Sequence, residues 1–413
     1  MPFHSHTLPN GLDVIAESFP DANTASVGFF VKTGARDEND AVSGVSHFLE
    51  HMVFKGTPHR SAADVNREFD ELGAHYNAFT SEEKTVYYAA ILPEYLRQTV
   101  ELWADVLRPS LRTDDFTTEK QVILEEIKMY EDQPPFGADD RVRALHYGTH
   151  PLGRSVLGTS QSVGALAVEQ MRGYFEHRYS PDNIVLAATG KIDFTELVAT
   201  AERCCGEWQR TGAKRVIEPA ASRGGFEVIH KESATQEYII QLLNAPAVEE
   251  EDRFAAKVLS TVLGDDSGSR LYWALIDEGR ADHASISHHD YFGTGLYITY
   301  LSQDPENAAE NLQTVIDLYR QVQAENVTEA ELKLAKSKLA SRIVLGSEKP
   351  RNRLFAVGAN WTYRREYRSV KDDLETVDRI TLADLRRVLD RYPLTSGTTL
   401  AIGPLKTLTF PRV

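Results

Sequence analysis

Two histidines stand four residues apart in the stretch SGVSHFLEHMVFKGT (43–57), and a glutamate directly precedes the second. An α-helix advances about 100° per residue, so His51 falls about 40° from His47, and Glu50 about 60° away on the other side. All three share one face. Imidazoles at i and i+4 can reach a single Zn²⁺, and a carboxylate between them can polarise water for attack on a carbonyl. The plainer alternative is a surface face carrying two histidines, with Val45, Phe48, Leu49 and Met52 packed on the opposite arc. The flanking residues favour the metal: GVS before and MVF after are small or apolar, unlike the Lys/Glu mixture of a solvated face.

A zinc hydrolase needs a third protein ligand and keeps one position for water. The candidate segment is DDFTTEKQVILEEIKMYED (114–132). If Phe116, Ile123, Ile127 and Tyr130 form its buried face, Glu119 and Glu126 flank that face at about 60° and 80°, whereas Glu125 points to the far side. The pattern favours Glu126, with Glu119 as second choice. A pair of boundary carboxylates, partly exposed, is the alternative.

These helices need a scaffold, and the sequence supplies it twice. GTSQSVGALAVEQMRGYFEHRYSPDNIVLAATGKI (158–192) and DLETVDRITLADLRRVLDRYPLTSGTTLAIGPL (373–405) share one plan. Each has a helix entry, near Ser162 or Thr381, then an amphipathic helix ending in Arg-Tyr, a polar loop and a strand ending in Gly. Each half also opens on extended sequence: GLDVIAESF and ASVGFFVKTG, then GFEVIHKES and QEYIIQLLNAP. A period of roughly 200 residues means a duplicated domain, not a solenoid. We therefore expect an α+β fold of two homologous domains, each a mainly antiparallel sheet with helices packed on one face. The expected boundaries are 1–212 and 225–413, joined by a linker at 213–224 within the polar run RTGAKRVIEPAASRGG. The repeat fails at one place: the counterpart of HFLEH reads RFAAKVLSTVLG, without metal-binding residues.

The formal charge of −16 argues against nucleic acid as a partner, since phosphate binding needs clustered Lys and Arg. No apolar run approaches a membrane span, and MPFHSHTLPNGL lacks the basic and apolar regions of a secretory signal, so a cytoplasmic location is expected. The two cysteines, Cys204 and Cys205, are adjacent; they fit no ordinary disulfide framework or zinc ribbon, and suit a reducing compartment.

HFLEH with Glu119 and Glu126 downstream resembles the inverted zinc-peptidase motif of the pitrilysin (M16) family, in the branch of the processing peptidases (M16B). The resemblance spans nearly the whole chain, through LPNGLDVIAE, VKTGARDE, EHMVFKGTPHR, LGAHYNAFTSEEKTVYYA, EKQVILEEIKMYEDQPP and YSPDNIVLAATGKI. It implies a LuxS/MPP-like metallohydrolase fold and a zinc metalloendopeptidase. His47, His51 and Glu126 would be the Zn²⁺ ligands, Glu50 the general base and then proton donor to the leaving amine, and Glu119 the group that orients a ligand histidine. GAHYNAFTSEEKTVYYAAIL (73–92) looks like a hairpin whose edge strand would pair with peptide substrate, with Asn77 and Ala78 at the contacting positions.

The resemblance also implies a clamshell in which a facing half supplies an Arg and a Tyr, placed seven residues apart. Here SRLYWALIDEGRADHASI (269–286) puts Ile276 and His283 at those positions. At this length the facing half must come from a second M16-type subunit. Either a metal-free partner supplies Arg and Tyr, or a homodimer uses His283 as donor; because Ile276 offers nothing polar, a heterodimer is the preferred expectation. The competing function is a non-catalytic core or binding subunit, as in the respiratory-complex members of the family, which typically lose motif residues that this chain keeps.

Overall fold

A computed structural model describes residues 2–410 apart from 134, 136, 219 and 221. The first sheet contains β1 (Phe3–Thr7), β2 (Asp13–Ser18), β3 (Ala25–Val31), β4 (His75–Thr80), β5 (Thr85–Ile91) and β6 (Ile184–Gly190), in the order β1-β2-β6-β3-β5-β4. The second contains β7 (Gly225–His230), β8 (Glu237–Ala245), β9 (His283–Tyr291), β10 (Thr294–Gln303) and β11 (Gly397–Gly403), in the order β7-β11-β8-β10-β9. Without β1 the two orders correspond strand for strand. The pairs β2–β6 and β7–β11 run parallel, and the others described are antiparallel. The chain thus folds as two α+β domains, as the repeat implied. Strand β1 has no signal in the sequence: FHSHT lacks apolar alternation, and most of it is exposed at the sheet edge.

The duplication reaches further than its sequence signature. The single helix expected from Ser162 is two, Ser160–Ala165 and Val168–Arg178, broken at Leu166–Ala167. Thr159 caps the first, and the Gln170 side chain accepts from the Ala167 amide to start the second. The same break separates Val370–Arg379 from Leu382–Arg391, where Thr381 is the N-cap.

Contacts divide the chain into two compact units, and neither is contiguous in sequence. One comprises 1–127, 155–216 and 344–369; the other 128–154, 217–343 and 370–413. The reason is that each sheet has two apolar faces. In the first unit one face carries the main helical layer, with Phe48, Phe69, Trp103, Phe116 and Leu197 in its core. The opposite face is covered by the helix Pro350–Arg364, whose Leu354 and Val357 meet Ile15, Phe30, Val86 and Val185. In the second unit the corresponding cover is the helix Ala138–Tyr147, whose Ala138, Val142 and Tyr147 meet Leu242, Leu296, Leu400 and Ile402. Each sheet therefore gains one helix beyond the expected single layer, and that helix comes from the other half of the sequence.

Of the expected linker, Pro219 and Ala221 lie outside the described residues. Arg215, ahead of them, is not a loose spacer. Its guanidinium donates to the Asp37 carboxylate at 2.6 Å and to the Glu83 carbonyl at 2.5 Å. Among the described residues no helix is long and apolar enough to cross a membrane.

Candidate metal centre

The site is built on the first unit from a helix at Val45–Val53, the edge strand β4 and a helix at Thr113–Asp132. The first helix starts at Gly44, whose φ of 91° is the left-handed conformation glycine adopts freely. A Cβ there would lie 2.6 Å from the Leu157 carbonyl oxygen. The Glu38 carboxylate accepts from the amides of Gly44 and Ser46, both at 2.7 Å, and so caps the helix N-terminus. The helix buries Val45, Phe48, Leu49 and Met52 and leaves His47, Glu50 and His51 half-buried on the other face, as the periodicity predicted. Phe48 stacks on Phe116 with ring centroids 4.7 Å apart, which joins the two helices.

This packing brings His47, His51 and Glu126 together, with one potential ligand atom of each inside 4.8 Å of the others. The Nε2 atoms of His47 and His51 lie 3.8 and 3.9 Å from Glu126 Oε2. Two ligands each about 2.0–2.2 Å from one zinc ion are separated by no more than about 4.4 Å, so both distances are within reach. Glu125, the rejected alternative, is exposed. Glu119 is buried and accepts from His51 Nδ1 at 2.8 Å, which leaves Nε2 of His51 for Glu126 and a metal. Lys55 Nζ holds the other Glu119 oxygen at 2.5 Å.

The electrostatics suit a cation. Burial, then the neighbouring His51, push His47 down to about 4, so its imidazole is neutral. Burial also opposes a proton on His51, but the hydrogen bond it donates to Glu119 and the charges of Glu119, Glu126 and Glu50 outweigh it and raise its proton affinity. Burial would raise the Glu119 carboxyl, yet the hydrogen bonds from His51 and Lys55 hold it below the usual carboxylate range. Three carboxylates face this corner, so a positive charge is favoured there: a proton on His51 or a metal ion in its place. His47 Nδ1 is buried without a hydrogen-bond partner among the described residues. Two imidazole nitrogens, one carboxylate oxygen and a carboxylate behind one histidine form a donor set that fits zinc.

Glu50 is raised above its ordinary range by burial, and a hydrogen bond from Thr80 partly opposes the shift. Thr80 Oγ1 donates to Glu50 Oε2 at 2.6 Å. Strand β4 carries Asn77, exposed, and Ala78, buried, and it is the free edge of its sheet. Asn77 Oδ1 accepts from the Ala78 amide at 2.8 Å. The hairpin β4–β5, turning at Ser81–Lys84, matches the expected one.

Sequence reasoning did not find Thr80, Lys55 or Glu38. Thr80 had one signal, the alternation that puts Tyr76, Ala78 and Thr80 on the same side of β4. Ile276 and His283 belong to the second unit. Ile276 closes a π-helical turn at Tyr272–Ile276 and packs on that unit's core. His283 begins β9, is exposed, and its Nε2 lies 2.9 Å from Ser285 Oγ. Arg270, in the same stretch, is tied by paired hydrogen bonds to Glu331 and is structural.

The family described as "Insulinase (Peptidase family M16)" matches residues 13–160, and that described as "Peptidase M16 inactive domain" matches 165–339. A Mycobacterium tuberculosis protein named an uncharacterized zinc protease is 34% identical over 389 residues, covering 92% of this chain and 89% of its own. Among solved structures, a protease from Helicobacter pylori superposes with a TM-score of 0.91 at 21% identity, covering 98% of this chain and 100% of its own. A chain of complex III2 from Candida albicans superposes at 0.86 with 17% identity, covering 98% and 97%. At these identities the two structures speak for the fold alone.

Proposed function

Since this chain belongs to the M16 peptidase family, we propose that it is a zinc metalloendopeptidase of the processing-peptidase-like branch, hydrolysing unfolded peptides or leader sequences within a dimeric clamshell. The observation that carries this reading is the convergence of His47, His51 and Glu126 beside a half-buried Glu50. His47, His51 and Glu126 would hold Zn²⁺. Bound there, the ion would supply Lewis acidity, polarising the peptide carbonyl and lowering the pKa of water. Glu50 takes the proton of the attacking water and returns it to the leaving amine, a pair of steps that a carboxylate of raised proton affinity suits. Glu119 fixes the ring of His51 by holding Nδ1–H.

The free edge of β4 suits an extended peptide, aligned by main-chain hydrogen bonds at Asn77 and Ala78. An incoming carbonyl on the Ala78 amide would replace the Asn77 side chain that now occupies it. A second M16-type subunit would complete the chamber, and a heterodimer is preferred to a homodimer. His283 can donate a hydrogen bond across such an interface, whereas Ile276 cannot. The alternative reading is a non-catalytic core or binding subunit of the same family. Retention of Glu50 together with all three ligand residues favours catalysis.

Chelation tests the reading. Cleavage of a quenched, unstructured peptide should stop when the metal is stripped and return with about one equivalent of Zn²⁺ per chain. Cleavage that survives complete removal of metal would overturn it.

A further inference from the structure

The carboxylate proposed as the base needs a fixed aim, and its own helix does not supply one. Glu50 is a long side chain on the half-buried face of its helix, and the hydrogen bond that fixes it comes from β4. Thr80 Oγ1 lies 2.6 Å from Glu50 Oε2, the short separation of a charge-assisted bond. The nearby Thr85 hydroxyl is 3.4 Å from Thr80 and gives its own hydrogen to the Thr33 carbonyl at 3.1 Å. The Thr85 oxygen can then only accept from Thr80, and at 3.4 Å it is a far poorer acceptor than the Glu50 carboxylate at 2.6 Å, so the Thr80 hydrogen goes to Glu50.

Thr80 is itself firmly held, because it is the last residue of β4 before the hairpin tip. The Ser81 amide donates to the Lys84 carbonyl at 2.8 Å, and the Arg36 amide to the Glu82 carbonyl at 2.8 Å. Arg36 pairs with Glu83 at 2.7 Å, both side chains buried, and Arg215 reaches the Glu83 carbonyl from behind. Gly34 permits this close approach: a Cβ there would lie 2.1 Å from the Ser81 carbonyl oxygen.

We propose that Thr80 is a positioning residue for Glu50, fixing one carboxylate oxygen so that the other is presented to the attacking water. The inference rests on the reading of Glu50 as the base. It gives β4 two tasks: the strand whose edge would set the register of the peptide also aims the group that activates water. The carboxylate of a helix residue is then tied to the strand that would carry the peptide, which couples the aim of the base to the register of the substrate.

Thr80→Val keeps the shape and removes the donor; Thr80→Ser keeps the donor. With the zinc-loaded full chain and a quenched peptide, Thr80→Val should lower kcat about tenfold or more, the size of a lost charge-assisted hydrogen bond. KM should stay within about twofold, and bound zinc and thermal midpoint should stay close to wild type, because neither ligands nor core are touched. Thr80→Ser should recover most of the loss. A kcat for Thr80→Val within about twofold of wild type, or an equal loss in Thr80→Ser, would overturn the inference. Glu50→Gln separates this from the parent reading: full activity in that variant would remove Glu50 as base, and the inference with it.

Binding of a peptidyl hydroxamate, whose hydroxyl needs a carboxylate partner, makes the same comparison without turnover. The inference predicts weaker binding to Thr80→Val than to wild type or Thr80→Ser. Equal binding to all three, alongside weaker binding to Glu50→Gln, would overturn it.

Discussion

Each site side chain has its state set by a few named neighbours, so single substitutions should separate their roles. Glu119→Gln keeps the shape but weakens the hold on His51 and the charge shared with Lys55; zinc affinity should fall about 10–100-fold in competition with a chelating dye. His47→Ala removes a donor and should abolish stoichiometric zinc. Away from the site, Glu237 is fully buried; Oε2 accepts from the Leu405 amide, and Oε1 has no hydrogen-bond partner among the described residues. Burial pushes its carboxyl up to about 7, from an ordinary 4.5. The folded chain therefore holds this proton where the unfolded chain has lost it. Its contribution to stability is present in acid and is lost as pH rises through about 7. Glu237→Gln should be the more stable protein at pH 8, by up to about 3 kcal/mol in denaturant titrations, with the gain shrinking towards pH 5. The metal-site helix was legible because helical spacing puts His47, Glu50 and His51 on one face within five residues. Thr80 and Lys55 were not, because their partners are set by how a strand and two helices pack, which no local pattern records.

At the scale of elements, glycines report where helices press on their neighbours. A Cβ on Gly358 would lie 2.3 Å from the Phe30 ring, so Gly358→Ala must lift the helix Pro350–Arg364 off the sheet face it covers. A loss of about 1–3 kcal/mol is expected in thermal or denaturant unfolding. Gly173, inside the helix Val168–Arg178, would meet nothing within 4 Å, and Gly173→Ala should instead stabilise by about 0.5–1 kcal/mol. Both helical faces of the site and the β4–β5 hairpin were readable from period and turn chemistry. The break at Leu166–Ala167 was not: its stop signal is a side-chain cap from Gln170, and the apolar pattern continues through it. Strand β1 was missed for the opposite reason. FHSHT has no apolar period, and its pairing with β2 is what makes it a strand.

For the whole molecule, the two halves share a sheet order but differ at the helix that carries the histidines. The counterpart of the metal-site helix, Asp252–Gly264, buries eleven of its thirteen residues, carries no histidine, and its one carboxylate, Asp252, is held by Arg387 and Arg391. The repeat of sheet order was visible in the sequence as two similar closing segments. The discontinuous units were invisible, because Ala138–Tyr147 and Pro350–Arg364 cover sheets built mostly from the other half, and a local amphipathic pattern does not say which sheet it will meet. If a second M16-type subunit supplies the missing polar groups, the isolated chain should bind zinc fully and cleave slowly. Mixing with a partner that carries Arg and Tyr at the positions of Ile276 and His283 should then raise kcat. The most direct test of the metal-and-base reading compares wild type with Glu50→Gln for zinc content and for cleavage of one quenched peptide. The prediction is about one zinc per chain in both proteins and turnover in the wild type alone. Equal cleavage by both, or a wild type that takes up no zinc, would contradict it.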